Sequence, residues 1–309
     1  MSVLLLSHRA CLGHDMGPHH PECPDRLRAV LRALDAEEFS DLLRDEAPLA
    51  AEAHLTRVHP ARYVEAILGI RPEPDEIVHL DADTAMCAGS VEAALRAAGA
   101  AVAAVDAVCS GEVRRAFCAT RPPGHHAEPA RPMGFCFFAN AAVAARHAQA
   151  AHGVARVAVL DFDVHHGNGT QACFETDGTL FLGSSHQSPC YPGTGAASER
   201  GVGNIVNTPL PPGSDGAAFR AAWSGIILPA LEAFDPGLVI ISAGFDAHAR
   251  DPLAQLRLRE PDFAWITEEL CRMAERHCRG KVVSLLEGGY DLGALASSAA
   301  THVRALMRA

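Results

Sequence analysis

The chain has 309 residues, 49% apolar, 20% charged and 6% aromatic, a profile that excludes disordered and fibrous classes and suits a folded, enzyme-sized domain. Its 26 Lys and Arg stand against 37 Asp and Glu, a formal charge of −11, so a broad basic footprint for nucleic-acid phosphates is not expected.

Short β-rich apolar runs alternate with Ala-rich stretches of helical character, the pattern of βα units around a parallel sheet. In chain order, the pattern predicts a strand at 3–7, helices over 25–36 and 61–68, a strand at 77–80 and a helix over 90–109. A strand at 114–119, a helix over 139–151 and strands at 157–161 and 179–184 follow. The last third holds a helix over 216–234, a strand at 238–242, a helix over 262–277, a strand at 281–286 and a helix over 292–307. No internal repeat or low-complexity linker divides the chain, which predicts one α/β domain over 1–309. The Pro/Gly clusters RPPGHHAEPARPMG, PCYPGTG and TPLPPGSDG read as long connections, where α/β enzymes carry binding loops.

Ten cysteines lie scattered without a CxxC pair, several inside apolar runs such as AFCAT and GFCFF, and are expected to be buried free thiols. The opening MSVLLLSHRA has too short an apolar run and no basic lead-in for a signal peptide, and no later stretch reads as membrane-spanning. A reduced, cytoplasmic setting is therefore expected.

Histidine is over-paired: 17 residues would give about one adjacent His-His pair by chance, and three occur, His19-His20, His125-His126 and His165-His166. In VAVLDFDVHHGNGT an apolar strand runs into Asp161, Asp163 and His165 at every second position, so the three side chains project together. Buried carboxylates in such a run need compensation, either by salt bridges or helix-cap hydrogen bonds or, as the sharper explanation, by a metal ion. The run LVIISAGFDAHARDP breaks at Gly244 and delivers Asp246 past a strand's carboxyl end, which borders the ligand crevice in open parallel sheets. Two Asp and one His neutralise a divalent cation and leave a position for water, the catalytic form of a zinc site. His248 and Asp251 are competing donors, with Asp246 favoured because it comes directly off the strand.

A further strand ends in RPPGHHA, whose Pro-Pro-Gly turn presents His125 and His126 beside the same crevice. Adjacent imidazoles suit proton transfer, since two cationic rings repel and one tends to stay neutral. Asp161 and Asn168 are the candidate acceptors that would fix their tautomers, and a further metal-binding element or a self-solvating loop is the alternative. After the last strand, the glycines of EGGYD allow a path that swings Tyr290 into the crevice as a donor to a developing oxyanion. Metal-activated water, a His proton shuttle and a hydroxyl donor together describe amide hydrolysis. No Ser or Cys nucleophile elbow, GxGxxG or phosphate loop competes with this.

RPPGHHA, GFCFFAN, DFDVHHGNGT, SAGFD and EGGY, in this order and spread over most of the chain, resemble the zinc-dependent histone deacetylase family, as does the leading HPECPDRL. EGGY, the Asn of HGNG and LDADT are similar to its class II branch. The resemblance implies the arginase–deacetylase α/β fold, a mainly parallel sheet with helices on both faces, and one Zn2+ per chain. It implies Asp163, His165 and Asp246 as zinc ligands, with His125 and His126 as the tandem histidines backed by Asp161 and Asn168. His126 would be general base and later acid, His125 an electrostatic partner, and Tyr290 the group that polarises the scissile carbonyl. Phe135 and Tyr191 would wall an acyl-lysine channel, Gly134 would set a carbonyl near it, and Asp83 would hold the substrate backbone at the rim. The family also carries K+ or Na+: Asp161, Asp163, His165, Ser184 and Ser185 match an inner site, and Phe174, Asp177, Leu180 and Asn204 an outer one.

The implied activity is removal of acetyl or another short acyl group from lysine side chains of proteins or peptides. The family also contains acetylpolyamine deacetylases, the first alternative. A vertebrate polyamine-selective branch places a Glu gatekeeper seven residues after the last zinc ligand, where this chain has Leu253, which suits acyl-lysine better. A dinuclear manganese ureohydrolase and a non-catalytic acyl-lysine reader are further alternatives. The implied partners are an acyl-lysine protein or peptide or a small acylated amine, without nucleic acid or membrane, and with room for a homo-oligomer. His14, His19 and His20 receive no role.

Overall fold

The strand residues alternate between two apolar layers. Val3, Leu5, Ala158, Leu160, Val239 and Ile241 belong to one buried cluster, and Leu4, Leu6, Val157, Val159, Leu238 and Ile240 to another. A sheet apolar on both faces must be covered on both. The computed structural model, which describes residues 3–309, has this architecture.

Strands β1 (Val3–Ser7), β2 (Leu43–Glu46), β5 (Arg115–Cys118), β6 (Val157–Asp161), β7 (Leu180–Gln187), β8 (Ile205–Leu210), β9 (Leu238–Ala243) and β10 (Val282–Leu286) form one eight-stranded sheet in the order β2-β1-β5-β10-β9-β6-β7-β8. Every neighbouring pair is parallel. Helices α1 (Pro24–Leu34), α7 (Gly216–Ala222), α8 (Leu228–Phe234), α9 (Glu260–Cys278) and α10 (Leu292–Arg308) cover one face. The other face is covered by α4 (Ser90–Ser110), α5 (Asn140–His152) and α6 (Asn168–Phe174). A satellite cluster joins α2 (Glu52–Leu55) and α3 (Ala61–Gly69) to Phe137 and Phe138.

The expected α/β fold holds, and the differences have local causes. Both sheet edges escape the pattern: β2 is the charged LRDE and β8 contains Pro209, features that edge strands tolerate and that read as loop. The strand expected at 77–80 is β3 (Val78–His79), paired antiparallel with β4 (Ala85–Met86) in a separate small hairpin. The helix expected over 216–234 holds a π turn at Trp223–Ile227, where the Leu228 amide reaches back to the Trp223 carbonyl next to Pro229. Proline lacks the N–H a regular helix would use there. Contrary to the expectation of no spanning stretch, the 21-residue α4 is long and apolar enough to cross a membrane by length and composition, though it is mostly buried inside the fold. Its Ala-rich surface packs on β5 and α5, and this close packing is what the composition serves. The ten cysteines are unbonded, but only five are buried, and Cys23, Cys87, Cys109, Cys173 and Cys190 are half-exposed.

Candidate active site and metal centre

Four consecutive strands of the sheet, β5, β10, β9 and β6, deliver the four segments singled out by their chemistry. From their carboxyl ends emerge His125-His126, Glu287–Tyr290, Asp246 and the Asp161–His165 run, so distant segments meet because their strands are neighbours.

At the floor, His165 Nδ1 lies 3.2 Å from Asp163 Oδ1 and 3.1 Å from Asp246 Oδ2. Bonds of about 2.0–2.1 Å to a tetrahedral zinc would set donor atoms about 3.3 Å apart, so the three fit one ion. The second carboxylate oxygens are oriented by backbone, Asp163 Oδ2 by the Gly288 amide at 2.8 Å and Asp246 Oδ1 by the Val164 amide at 2.8 Å. Burial and the nearby Asp163 push Asp246 up to about 7, whereas His125 and His165 outweigh burial and hold Asp163 well below the usual carboxylate range. Two buried carboxylates in mutual repulsion want a cation between them. The competing donors are spent elsewhere. Asp251 accepts from the amides of Leu253, Tyr290 and Asp291, and His248 Nδ1 accepts from the Arg250 amide.

Gly288 shows how tightly the floor is drawn, since a Cβ there would lie 2.1 Å from Asp246 Oδ2 and 2.6 Å from Asp163 Oδ2. Gly288→Ala is expected to displace both carboxylates and leave a folded protein with well under one zinc per chain. Metal analysis beside circular dichroism checks this, and unchanged metal content and turnover would refute the assignment.

Among the described residues, Asp106, His147 and His152 form a second His/Asp group. There both Nε2 atoms are 2.6 Å from one Asp106 oxygen, and Arg57 donates to His147 Nδ1 at 2.8 Å. His147 must then carry its proton on Nε2, so this is a hydrogen-bond network between α4 and α5 rather than a metal site.

The tandem histidines stand beside the floor with ring centroids 4.0 Å apart. His125 Nδ1 donates to Asp161 Oδ2 at 3.0 Å and His126 Nδ1 to Asn168 Oδ1 at 2.8 Å. The Asn168 amide is turned this way because its Nδ2 donates to Glu128 Oε1 at 2.9 Å. Burial disfavours charge on His125, but Asp163 and Asp161 overcome it and push the ring up to about 10. Burial, with charge on His125 and His165, drives His126 well below the usual range, so the pair is split into one cation and one neutral base.

Above the floor a pocket of about 220 Å³ is lined by Asp83, His126, Gly134, Phe135, His165, Tyr191, Leu253 and Tyr290. Positive φ at Gly134 (56°) and Phe135 (70°) turns the chain so that the Phe135 ring faces Tyr290, with centroids 5.9 Å apart. Tyr191 stands edge-on to His126 at 5.1 Å. Asp83 is held on a tight turn built by Asp81, whose Oδ1 accepts from the amides of Asp83 and Thr84. His20 closes the same rim, donating to the Asp83 carbonyl and packing on Phe135 at 4.7 Å, while His14 is buried against Ser90 and His19 is exposed.

Of the two monovalent-cation sets, Ser184 and Ser185 lie on β7 beside β6, with Ser184 in register with Asp161. Phe174, Asp177 and Leu180 point their carbonyls at one place, but Asn204 Nδ2 occupies it, at 2.8, 3.0 and 2.7 Å. With the amide so placed, the point a cation would need is filled.

Several buried ionic residues that set the site went unread in the sequence. Glu287 Oε2 accepts from the amides of Gly124 and His125, and its Oε1 from Ser242, so it clamps the loop bearing the tandem histidines. Arg26 donates to the carbonyls of Glu287 and Gly289, and its guanidinium lies 4.8 Å from the Tyr290 ring centroid. Glu22 joins Arg26 to Arg121, which precedes the Pro-Pro-Gly turn. The Glu22/Arg26 spacing of four within HPECPDRL was the available signal.

Residues 20–306 match the family model described as histone deacetylase domain. Histone deacetylase-like amidohydrolase of Pseudomonas aeruginosa is 42% identical, with 91% of this chain and 80% of that protein aligned. Histone deacetylase 14, chloroplastic, of Arabidopsis thaliana is 39% identical over 98% of this chain and 76% of its own. The crystal structure of the HDA15 HD domain superposes with a TM-score of 0.93 at 36% identity, covering 99% of this chain and 88% of that one. Motifs, topology and relatives agree, and the chain belongs to the histone deacetylase family of deacetylases and amidohydrolases.

Proposed function

We propose that the protein removes acetyl, or another short acyl group, from lysine side chains of proteins or peptides with the help of one zinc ion held by Asp163, His165 and Asp246. When bound there, zinc would polarise the amide carbonyl and acidify water. The chain's own groups supply the rest. Asn168 Oδ1 can only accept, so His126 Nδ1 carries a proton and Nε2 keeps a free lone pair. His126 Nε2 takes the proton from the attacking water and returns it to the leaving amine. His125, tied to Asp161, keeps its positive charge nearby and stabilises the anionic transition state. Tyr290, supported by Arg26 beneath its ring, donates its hydroxyl proton in a hydrogen bond to the carbonyl oxygen. Phe135 and Tyr191 bracket the aliphatic stem, and Asp83 accepts a backbone N–H at the mouth. Asp161, Asp163, His165, Ser184 and Ser185 would hold a K+ or Na+ ion, a set that the register of Ser184 with Asp161 supports. The free cysteines support a reducing, cytoplasmic setting.

The observation that carries the reading is His126, held by its Nδ1 on Asn168 Oδ1 and lining one pocket with His165 and Tyr290. Leu253 at the mouth favours acyl-lysine over a polyamine, whose second ammonium would meet an apolar side chain there. The test is parallel turnover of acetyl-lysine peptides, longer acyl-lysines and acetylated polyamines, with and without a hydroxamate chelator. Acetyl-lysine peptides should be hydrolysed fastest and the chelator should stop the reaction. Faster turnover of acetylpolyamines would overturn the substrate, and no acetate release from any of them would overturn the activity.

A further inference from the structure

Relatives of this fold are expected to bind a monovalent cation between the loop after α6 and the strands beyond it, and this chain has put a side chain there. The carbonyls of Phe174, Asp177 and Leu180 converge on Asn204 Nδ2 at 2.8, 3.0 and 2.7 Å. The amide is oriented, because Asn204 Oδ1 accepts from the Val202 amide at 3.2 Å. That contact places the N–H2 end, which only donates, on three acceptors. Asn204 is 4% exposed, so these carbonyls have little access to water.

The turn around it is built to the same purpose. Gly201 has φ +53°, and a Cβ there would lie 2.7 Å from Asn204 Oδ1 and 2.6 Å from the Glu175 carbonyl. The Val202 amide also donates to Glu175 at 2.9 Å, so the GVGN turn docks on the end of α6 around the amide. An ion coordinated by the same three oxygens would need the point that Nδ2 fills.

We propose that the Asn204 amide replaces the outer monovalent cation as the group that neutralises the Phe174, Asp177 and Leu180 carbonyls, and that removing it turns this pocket into a potassium site. The amide does by hydrogen bonding what a bare cation does by ion-dipole attraction, since carbonyl rings can stand in for a hydration shell. The loop that leads into β7, and through it Ser184 and Ser185, is thereby fixed independently of salt at this position.

Crystals of the full chain soaked in thallium(I), a heavy stand-in for potassium, give the direct reading. In the wild type no thallium should lie among the three carbonyls, and in Asn204→Ala it should. In solution Asn204→Ala removes the side-chain donor from all three carbonyls, although Phe174 and Asp177 keep the backbone N–H of Asp177 and of Leu180, and should melt roughly 3–6 °C below wild type in choline chloride. Potassium chloride at equal ionic strength should restore at least half of that loss, a larger gain than it gives the wild type. Asn204→Asp, which keeps the shape but turns oxygen toward oxygen, should depend on potassium still more. Thallium among the carbonyls of the wild type, with the amide swung aside, would overturn the proposal, as would variants whose melting is unaltered. The wild-type crystal decides the matter even if neither variant folds.

Discussion

Asp246→Asn is expected to reduce acetate release by at least about 10³-fold and to leave zinc content near zero. Stabilisation by a Lewis acid at a reacting carbonyl is worth several kcal/mol, and each 1.36 kcal/mol is about tenfold in rate. The variant removes one of three donors while keeping the Oδ1 that accepts from the Val164 amide. It also relieves the repulsion between Asp163 and Asp246, two buried carboxylates on the same ring nitrogen of His165. Metal-free Asp246→Asn should therefore melt no lower than metal-free wild type, although the zinc-loaded wild type melts higher than both. Melting curves with and without chelator, set beside metal analysis, separate loss of the site from loss of the fold. Full zinc content in Asp246→Asn would remove Asp246 from the ligand set.

Tyr290→Phe is the second large effect, with turnover expected to fall about 10²–10³-fold. Only the hydroxyl is lost. The ring keeps its place between Phe135 and Arg26, with the centroid 5.9 Å from the first ring and 4.8 Å from the guanidinium. Backbone position is held by Asp251, which accepts from the Tyr290 amide at 2.7 Å. Substrate affinity and zinc content should stay near wild type, so the loss falls on kcat and not on KM. Undiminished turnover on an acetyl-lysine peptide would show that the hydroxyl takes no part. A loss confined to KM would make Tyr290 a binding residue only.

What the chain discloses by itself follows from how local each signal is. Asp161, Asp163 and His165 were legible because period two in an extended run is a property of the backbone, and Asp246 because it follows directly on the carboxyl end of an apolar strand, which the structure sets beside β6. The central strands were legible as apolar runs, whereas the edge strands β2 and β8 lack the second buried face that makes such a run. The short α6 begins with Asn168-Gly169, poor helix formers, and shows itself only once Asn168 is seen bonded to His126. Glu287, Arg26, Glu22 and Arg121 were hidden because their partners are up to 263 residues away in sequence, as with Arg26 and Gly289. His166 belongs to neither histidine pair's chemistry. Its ring nitrogens bond Thr194 and Gln171, tying down the loop that carries Tyr191. The outer cation set was poorly legible for a different reason: backbone carbonyls carry no side-chain signature, and the sequence does not tell that the Asn204 amide lies among them.

The central claim is that one ion sits at the meeting point of β6 and β9, and anomalous scattering measured across the zinc edge on crystals of the purified chain tests it most directly. A single zinc peak bounded by Asp163, His165 and Asp246, at one per chain, is the predicted result. Two adjacent manganese ions in the same pocket, or zinc bound only at Asp106, His147 and His152, would contradict it.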